Sequence, residues 1–125
     1  MDFDKLKAIN DEQRNVGVME TPSVLKTFTN KACGDDYTVY LNIEGGKIYD
    51  ASFTTTGCGF GLAALAIATE WVKGKSLEEA ESITLADIDE GIDGFPERRR
   101  RYPETAALII RETVRKYRGS IRITS

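Results

Sequence analysis

Apolar and polar residues alternate strictly along "DYTVYLNI", residues 36–43. Tyr37, Val39, Leu41 and Ile43 fall on one side, and Thr38, Tyr40 and Asn42 on the other. A period of two predicts a half-buried β-strand. "EGGK" follows, with two glycines to supply the positive φ of a tight hairpin, so "KIYDASFTTT" reads as the returning strand. Upstream, "VLKTFTN" reads as a third strand. After these the pattern changes to helical spacing, from Phe60 to Val72, with Gly74 as its stop. Ser76 with Glu79, and Thr84 with Asp87, have the spacing of capping boxes that open two further helices. Pro103 suits the first position of a last helix, whose buried stripe would be Ala106, Ala107, Ile110, Val114 and Tyr117. The tail "GSIRITS" reads as a loose or weakly paired end. At the other end, Phe3, Leu6 and Ile9 predict a short helix over residues 2–10, and "RNVGVMETPSV" reads as loop. Three antiparallel strands packed with about four to five helices make an α+β architecture.

Composition narrows the function. A chain of 125 residues with no repeat or linker fits a single domain spanning 1–125. Its net charge of −3 gives no general attraction to nucleic acid, and "RRRR" at 98–101 is too local to change that. No apolar run is long enough to span a bilayer, and "MDFDKLKAINDEQ" lacks the apolar core of a signal peptide. The expectation is a cytoplasmic protein with neither nucleic-acid nor membrane partner. The chain has no histidine, which excludes Cys-His and Ser-His catalytic arrangements and the commonest metal ligand.

The remaining chemistry lies in two cysteines, too few for a disulfide framework. Cys58 sits between two glycines where a strand gives way to a helix. Unpaired N–H groups and the helix dipole there favour a thiolate. Cys33 also precedes a glycine, and Asp35 follows as an oxygen ligand or charge partner. A free cysteine is equally at home as a small buried hydrophobe. Two sulfurs and a carboxylate fall short of a four-coordinate site, so the residues alone describe half of a soft-metal site.

Four strings, "RNVGVME", "CGDD", "FTTTGCG" and "TEWVKGKSLEEA", resemble in order and spacing the IscU/NifU-type iron–sulfur cluster scaffold proteins. The resemblance runs from about Arg14 to about Ile92 and more weakly through the last helix. It implies a three-stranded sheet packed with helices, with a cluster-assembly site at one tip. It also implies sulfur received from a cysteine desulfurase, a nascent [2Fe–2S] cluster, and its transfer to cluster-accepting proteins. The family's ligand cysteines map onto Cys33 and Cys58, and its lability-tuning aspartate onto Asp35. Before the last helix the family usually has Leu-Pro-Pro-x-Lys-x-His-Cys, where this chain has "FPERRRRY". Phe95 and Pro96 align, but Glu97 replaces the second proline of the chaperone-docking segment, Arg101 stands at the histidine and Tyr102 at the third cysteine.

Three readings follow. The first is a scaffold or carrier without catalysis of its own, holding iron or a [2Fe–2S] cluster, or zinc, through Cys33 and Cys58 with Asp35 assisting. A homodimer would then supply four thiolates. The second is a cluster-free regulatory or adaptor paralogue that binds a cysteine desulfurase, with Arg98–Arg101 facing a carboxylate-rich surface. The third is a zinc-dependent sulfur-transfer protein using Cys58 as nucleophile or persulfide carrier. Tyr102 is read as an aromatic packed at the entry to the last helix, with a phenolate on ferric iron as the alternative.

Overall fold

A computed structural model describes residues 1–31, 34–57 and 59–124. The elements run α1 (Phe3–Glu12), β1 (Val24–Asn30), β2 (Asp35–Glu44), β3 (Lys47–Thr55), α2 (Phe60–Val72), α3 (Leu77–Glu81), α4 (Leu85–Asp89) and α5 (Arg101–Thr124). The strands form an antiparallel meander in the order β1-β2-β3, so the predicted α+β architecture is the observed one. Gly45 and Gly46, both at positive φ, form the two-residue hairpin turn between Glu44 and Lys47.

The alternation in β2 is realised: Tyr37, Val39, Leu41 and Ile43 are all buried. In β3 the register slips between Asn42 and Ile43, leaving Tyr49 as the extra residue of a bulge. Ile48, Ala51 and Phe53 therefore share the buried face although their spacing is not strictly two, and Tyr49 is 70% exposed.

The core lies between this face and the helices. α2 is its axis: Ala63 to Ala68, Thr69 and Val72 are all buried, because the helix is apolar nearly all round. α5 packs Ala106, Ala107, Ile109, Ile110 and Val114 against it. Each fully buried Leu, Ile or Phe side chain contributes roughly 1.5–3 kcal/mol. One approach is especially close. A Cβ at Gly91, in the 3-10 turn Glu90–Ile92, would come within 2.6–2.8 Å of three carbons of Ile67 in α2.

Both capping boxes form. The Ser76 backbone N–H, and then its hydroxyl, hold the Glu79 carboxyl below its ordinary value. α5 departs from expectation at both ends. It begins at Arg101, so Pro103 lies inside the first turn, where its missing N–H costs no hydrogen bond. It also runs on through Gly119 to Thr124 instead of ending in a loose tail. A glycine there costs only about 1 kcal/mol, which an established helix carries. Phe3 opens α1 as expected but remains 67% exposed. Only Ile9 of the predicted stripe is fully buried.

Asn15 does more than the loop pattern suggests. It sits at φ 63°, and its carbonyl accepts from the Phe53 N–H. Its amide donates to the buried Thr69 hydroxyl at 3.0 Å and accepts from Lys73 Nζ at 2.6 Å. One residue thus joins the N-terminal segment to β3 through its backbone and to α2 through its side chain. Asn15→Ala is expected to lose about 2 kcal/mol in urea unfolding, from two part-buried bonds and the strained backbone position. A loss below about 0.5 kcal/mol would contradict this role.

Candidate cluster-assembly site

Three segments meet at one end of the sheet. The first is the β1–β2 turn, where the Gly34 N–H donates to the Asn30 carbonyl at 2.7 Å. The second is the β3–α2 junction, and the third is the start of α5. The "TTTG" string explains how the first two are tied. Thr56 and Asp36 pair reciprocally: the Thr56 N–H donates to the Asp36 carbonyl at 3.1 Å, and the Asp36 N–H donates to the Thr56 hydroxyl at 2.9 Å. The Gly57 N–H donates to the Thr55 hydroxyl at 2.9 Å, and the Thr29 hydroxyl donates to the Asp36 carboxylate at 2.7 Å.

Asp35 is half-buried at the head of β2, with its carboxylate lying against Gly57. A Cβ at Gly57 would stand 3.1 Å from Asp35 Oδ2 and 3.2 Å from Cγ, so a side chain there would press the carboxylate aside. Gly59 caps α2 at φ 59°, ψ −115°, a conformation that favours glycine. Cys33 and Cys58 lie outside the described residues. Their neighbours Gly34, Asp35, Gly57 and Gly59 fall within them. Among the described residues, no cluster of three His, Cys, Asp or Glu side chains is placed to hold a metal ion.

The start of α5 completes the tip. Tyr102 stacks on Phe60 with centroids 6.1 Å apart and planes at 27°, and Phe60 in turn tilts against Phe95 at 6.2 Å. The Tyr102 hydroxyl accepts from Arg101 Nη2 at 3.1 Å. The space left among Tyr37, Gly61, Leu65, Tyr102, Ala106 and Ile109 is about 10 Å³, so Tyr102 is a packed aromatic at the helix entry. The four arginines do not act alike. Arg100 pairs with Asp89 at 3.2 Å, while the same carboxylate accepts from the Phe95 N–H at 2.6 Å. Arg99 lies over Phe60 and Arg101 over Tyr102. Sequence reasoning missed this division, because nothing in a run of four identical residues tells one from the next.

The profile of the NifU-like N terminal domain family matches residues 4–123. The chain belongs to this family. Among its relatives, the iron-sulfur cluster assembly scaffold protein IscU 1 of Archaeoglobus fulgidus is 36% identical over 104 residues, or 83% of this chain and 68% of that one. The IscU scaffold protein of Escherichia coli K12 is 40% identical over 85 residues, 67% of this chain and 59% of its own. The fold is shared with a putative SUF-system scaffold protein from Fervidobacterium islandicum AW-1, at TM-score 0.64 and 22% identity over 89% of this chain and 91% of that one. It is shared also with the N-terminal part of a NifU-like protein from Brucella abortus, at TM-score 0.55 and 24% identity over 91% of this chain and 77% of that one. The NifU-like membership accounts for the three-stranded sheet with five helices. No helix among the described residues is long and apolar enough to cross a membrane.

Proposed function

We propose that this chain is an iron–sulfur cluster assembly scaffold or carrier, and that Cys33, Cys58 and Asp35 hold iron or a [2Fe–2S] cluster as its cargo. The observation that carries the reading is the contact of Asp35 with Gly57, backed by the Thr56–Asp36 pairing. Asp35 lies two residues after Cys33, and Gly57 immediately precedes Cys58. A tie between these neighbours supports two thiolates converging where Asp35 reaches both. The names of the Archaeoglobus and Escherichia relatives support the same activity.

In this reading the domain, residues 1–125, receives sulfur from a cysteine desulfurase onto Cys33 or Cys58 and passes its cargo to acceptor proteins. It catalyses no reaction itself. Two chains together provide four thiolates, the usual number for a [2Fe–2S] cluster. Soft thiolates favour iron in a cluster or zinc over hard cations, and Asp35 adds one oxygen donor. Tyr102, at the family's third cysteine, keeps its place as an aromatic wall.

The test is anaerobic reconstitution with iron and sulfide, read by metal content and visible absorbance, beside a sample whose thiols have been alkylated with iodoacetamide. The native sample is expected to take up iron and sulfide, and the alkylated one to fall to background. Equal uptake by the two, or none by either, overturns the reading. No uptake together with retained binding to a cysteine desulfurase would favour the adaptor alternative.

A further inference from the structure

Asp36 ties three segments together at the tip. Its carboxylate accepts from the Thr29 hydroxyl of β1 at 2.7 Å, and its N–H donates to the Thr56 hydroxyl at 2.9 Å. Its carbonyl accepts from the Thr56 N–H at 3.1 Å. We propose that Thr29, Asp36 and Thr56 are positioning residues that set the gap between Cys33 and Cys58. The proposal deepens the scaffold reading and rests on it for the use of the two thiols.

The Thr56 bond is a substitution within the ladder. In an antiparallel pair, opposed residues exchange two backbone bonds, N–H to carbonyl in each direction. The β2–β3 ladder ends at Tyr37 and Thr55, so Asp36 and Thr56 would form its next pair. One of the two bonds is made in the ordinary way. In the other, the threonine hydroxyl stands in for the threonine carbonyl. The backbone after Thr56 can therefore leave the ladder and turn into Gly57 without giving up its hold on β2. Gly57 is met there by the Thr55 hydroxyl, which accepts from its N–H at 2.9 Å. A valine at 56 would keep the shape of the side chain and lose the acceptor.

The placement in the chain gives these bonds their reach. Position 33 lies three residues before Asp36, and position 58 two residues after Thr56. Tethers that short follow their anchors, so a change in how Asp36 meets Thr56 is passed on to both thiols. Thr29 is the register partner of Asp36, and its bond to the carboxylate closes the base of the β1–β2 turn. All three side chains are exposed, so their bonds add little to the stability of the whole fold. A similar bond supplies the comparison. The Thr27 and Thr38 hydroxyls lie 2.9 Å apart across β1 and β2, two residues further from the tip along each strand.

The experiment titrates the metal-free full chain with phenylarsine oxide, whose arsenic binds two neighbouring thiols with release of water. The bridged adduct is read by intact mass under denaturing conditions. The parent is expected to form a one-to-one intrachain adduct that consumes both thiols. Thr56→Val should need at least about threefold more reagent for half-conversion, and Thr29→Val/Thr56→Val at least about fivefold. Thr56→Ser, which restores the hydroxyl, and Thr27→Val should each stay within about twofold of the parent. Melting temperatures by circular dichroism should lie near that of the parent for every variant. The proposal is overturned by a parent that forms no intrachain adduct or by a double variant that matches the parent. A shift in Thr27→Val as large as that in Thr56→Val, or no rescue by serine, overturns it as well. Iron uptake is measured on separate samples. A parent that is bridged by arsenic but takes up no iron overturns the scaffold reading and leaves the positioning role standing. Iron uptake together with threonine variants that bridge like the parent does the reverse.

Discussion

Cys58→Ser is expected to retain less than about a tenth of the iron that the parent holds after anaerobic reconstitution, and Cys33→Ser the same. Serine preserves the size of the side chain but replaces a soft, ionisable thiol with a hard alcohol that stays protonated at neutral pH. With only two cysteines in the chain, each substitution removes half of the thiolate donors, and Asp35 alone cannot make up the loss. The loop geometry should survive. Among the described residues, the ties at this end run through backbone and oxygen atoms of Thr55, Thr56, Asp36 and Gly57. A melting temperature near that of the parent should therefore accompany the loss of metal. Position 58 precedes the Gly59 cap of α2, where the helix end favours an anion, so its thiol should also react with iodoacetamide at lower pH than a free cysteine. Tyr102→Phe is the internal control. Its hydroxyl is engaged by Arg101 and its ring stacks on Phe60, so iron content should not change. Full iron content in either serine variant would remove the two-thiolate site.

The second large effect concerns stability. Gly91→Ala should destabilise the protein by about 2–3 kcal/mol, and Gly91→Val by more. The backbone at this residue is ordinary, so the constraint is space. An added Cβ falls 2.6 Å from Ile67 Cδ1, 2.7 Å from Cγ1 and 2.8 Å from Cγ2, and no single rotation of Ile67 clears all three. The displaced turn also carries the Ile92 carbonyl, which accepts from the Asp2 N–H at 2.8 Å, so strain would spread to the start of α1. A double-mutant cycle in urea isolates the cause. Gly91→Ala combined with Ile67→Ala should cost less than the sum of the two single losses, by at least about 1 kcal/mol. Gly119→Ala, with nothing within 4 Å and inside the C-terminal part of α5, should instead gain a few tenths of a kcal/mol. Additivity in the cycle would place the cost elsewhere.

Much of the architecture was legible because local chemistry and burial agree. The alternation in β2, the paired glycines of the hairpin and the two capping boxes each report a backbone requirement that neighbouring residues satisfy. The misreadings share one physical origin: they depend on partners distant in sequence. Nothing local in the sequence marks the constraint at Gly91, which comes from Ile67, 24 residues earlier, packed against it. Asn15 reads as part of a loop until Thr69 and Lys73 reach it. Tyr40 lies on the polar side of β2 by pattern yet is only 9% exposed, and Phe3 has the right spacing yet faces outward. At the site, the sequence places Asp35 two residues after Cys33, but only three-dimensional contact sets it against Gly57.

The sheet's two flanks are finished differently. Beside β3, Val16 pairs with Phe53 and Ser76 with Lys47, so intruding backbone finds little to join. β1 has no such cover among the described residues. There Lys26 falls on the same side as Val24 and Phe28, and Lys116 Nζ donates to the Leu25 carbonyl at 2.8 Å. An inward-facing lysine and an occupied carbonyl are the usual defences of an open strand against stacking into fibrils. These two amines leave the β1 edge a poorer template for a second copy of the chain.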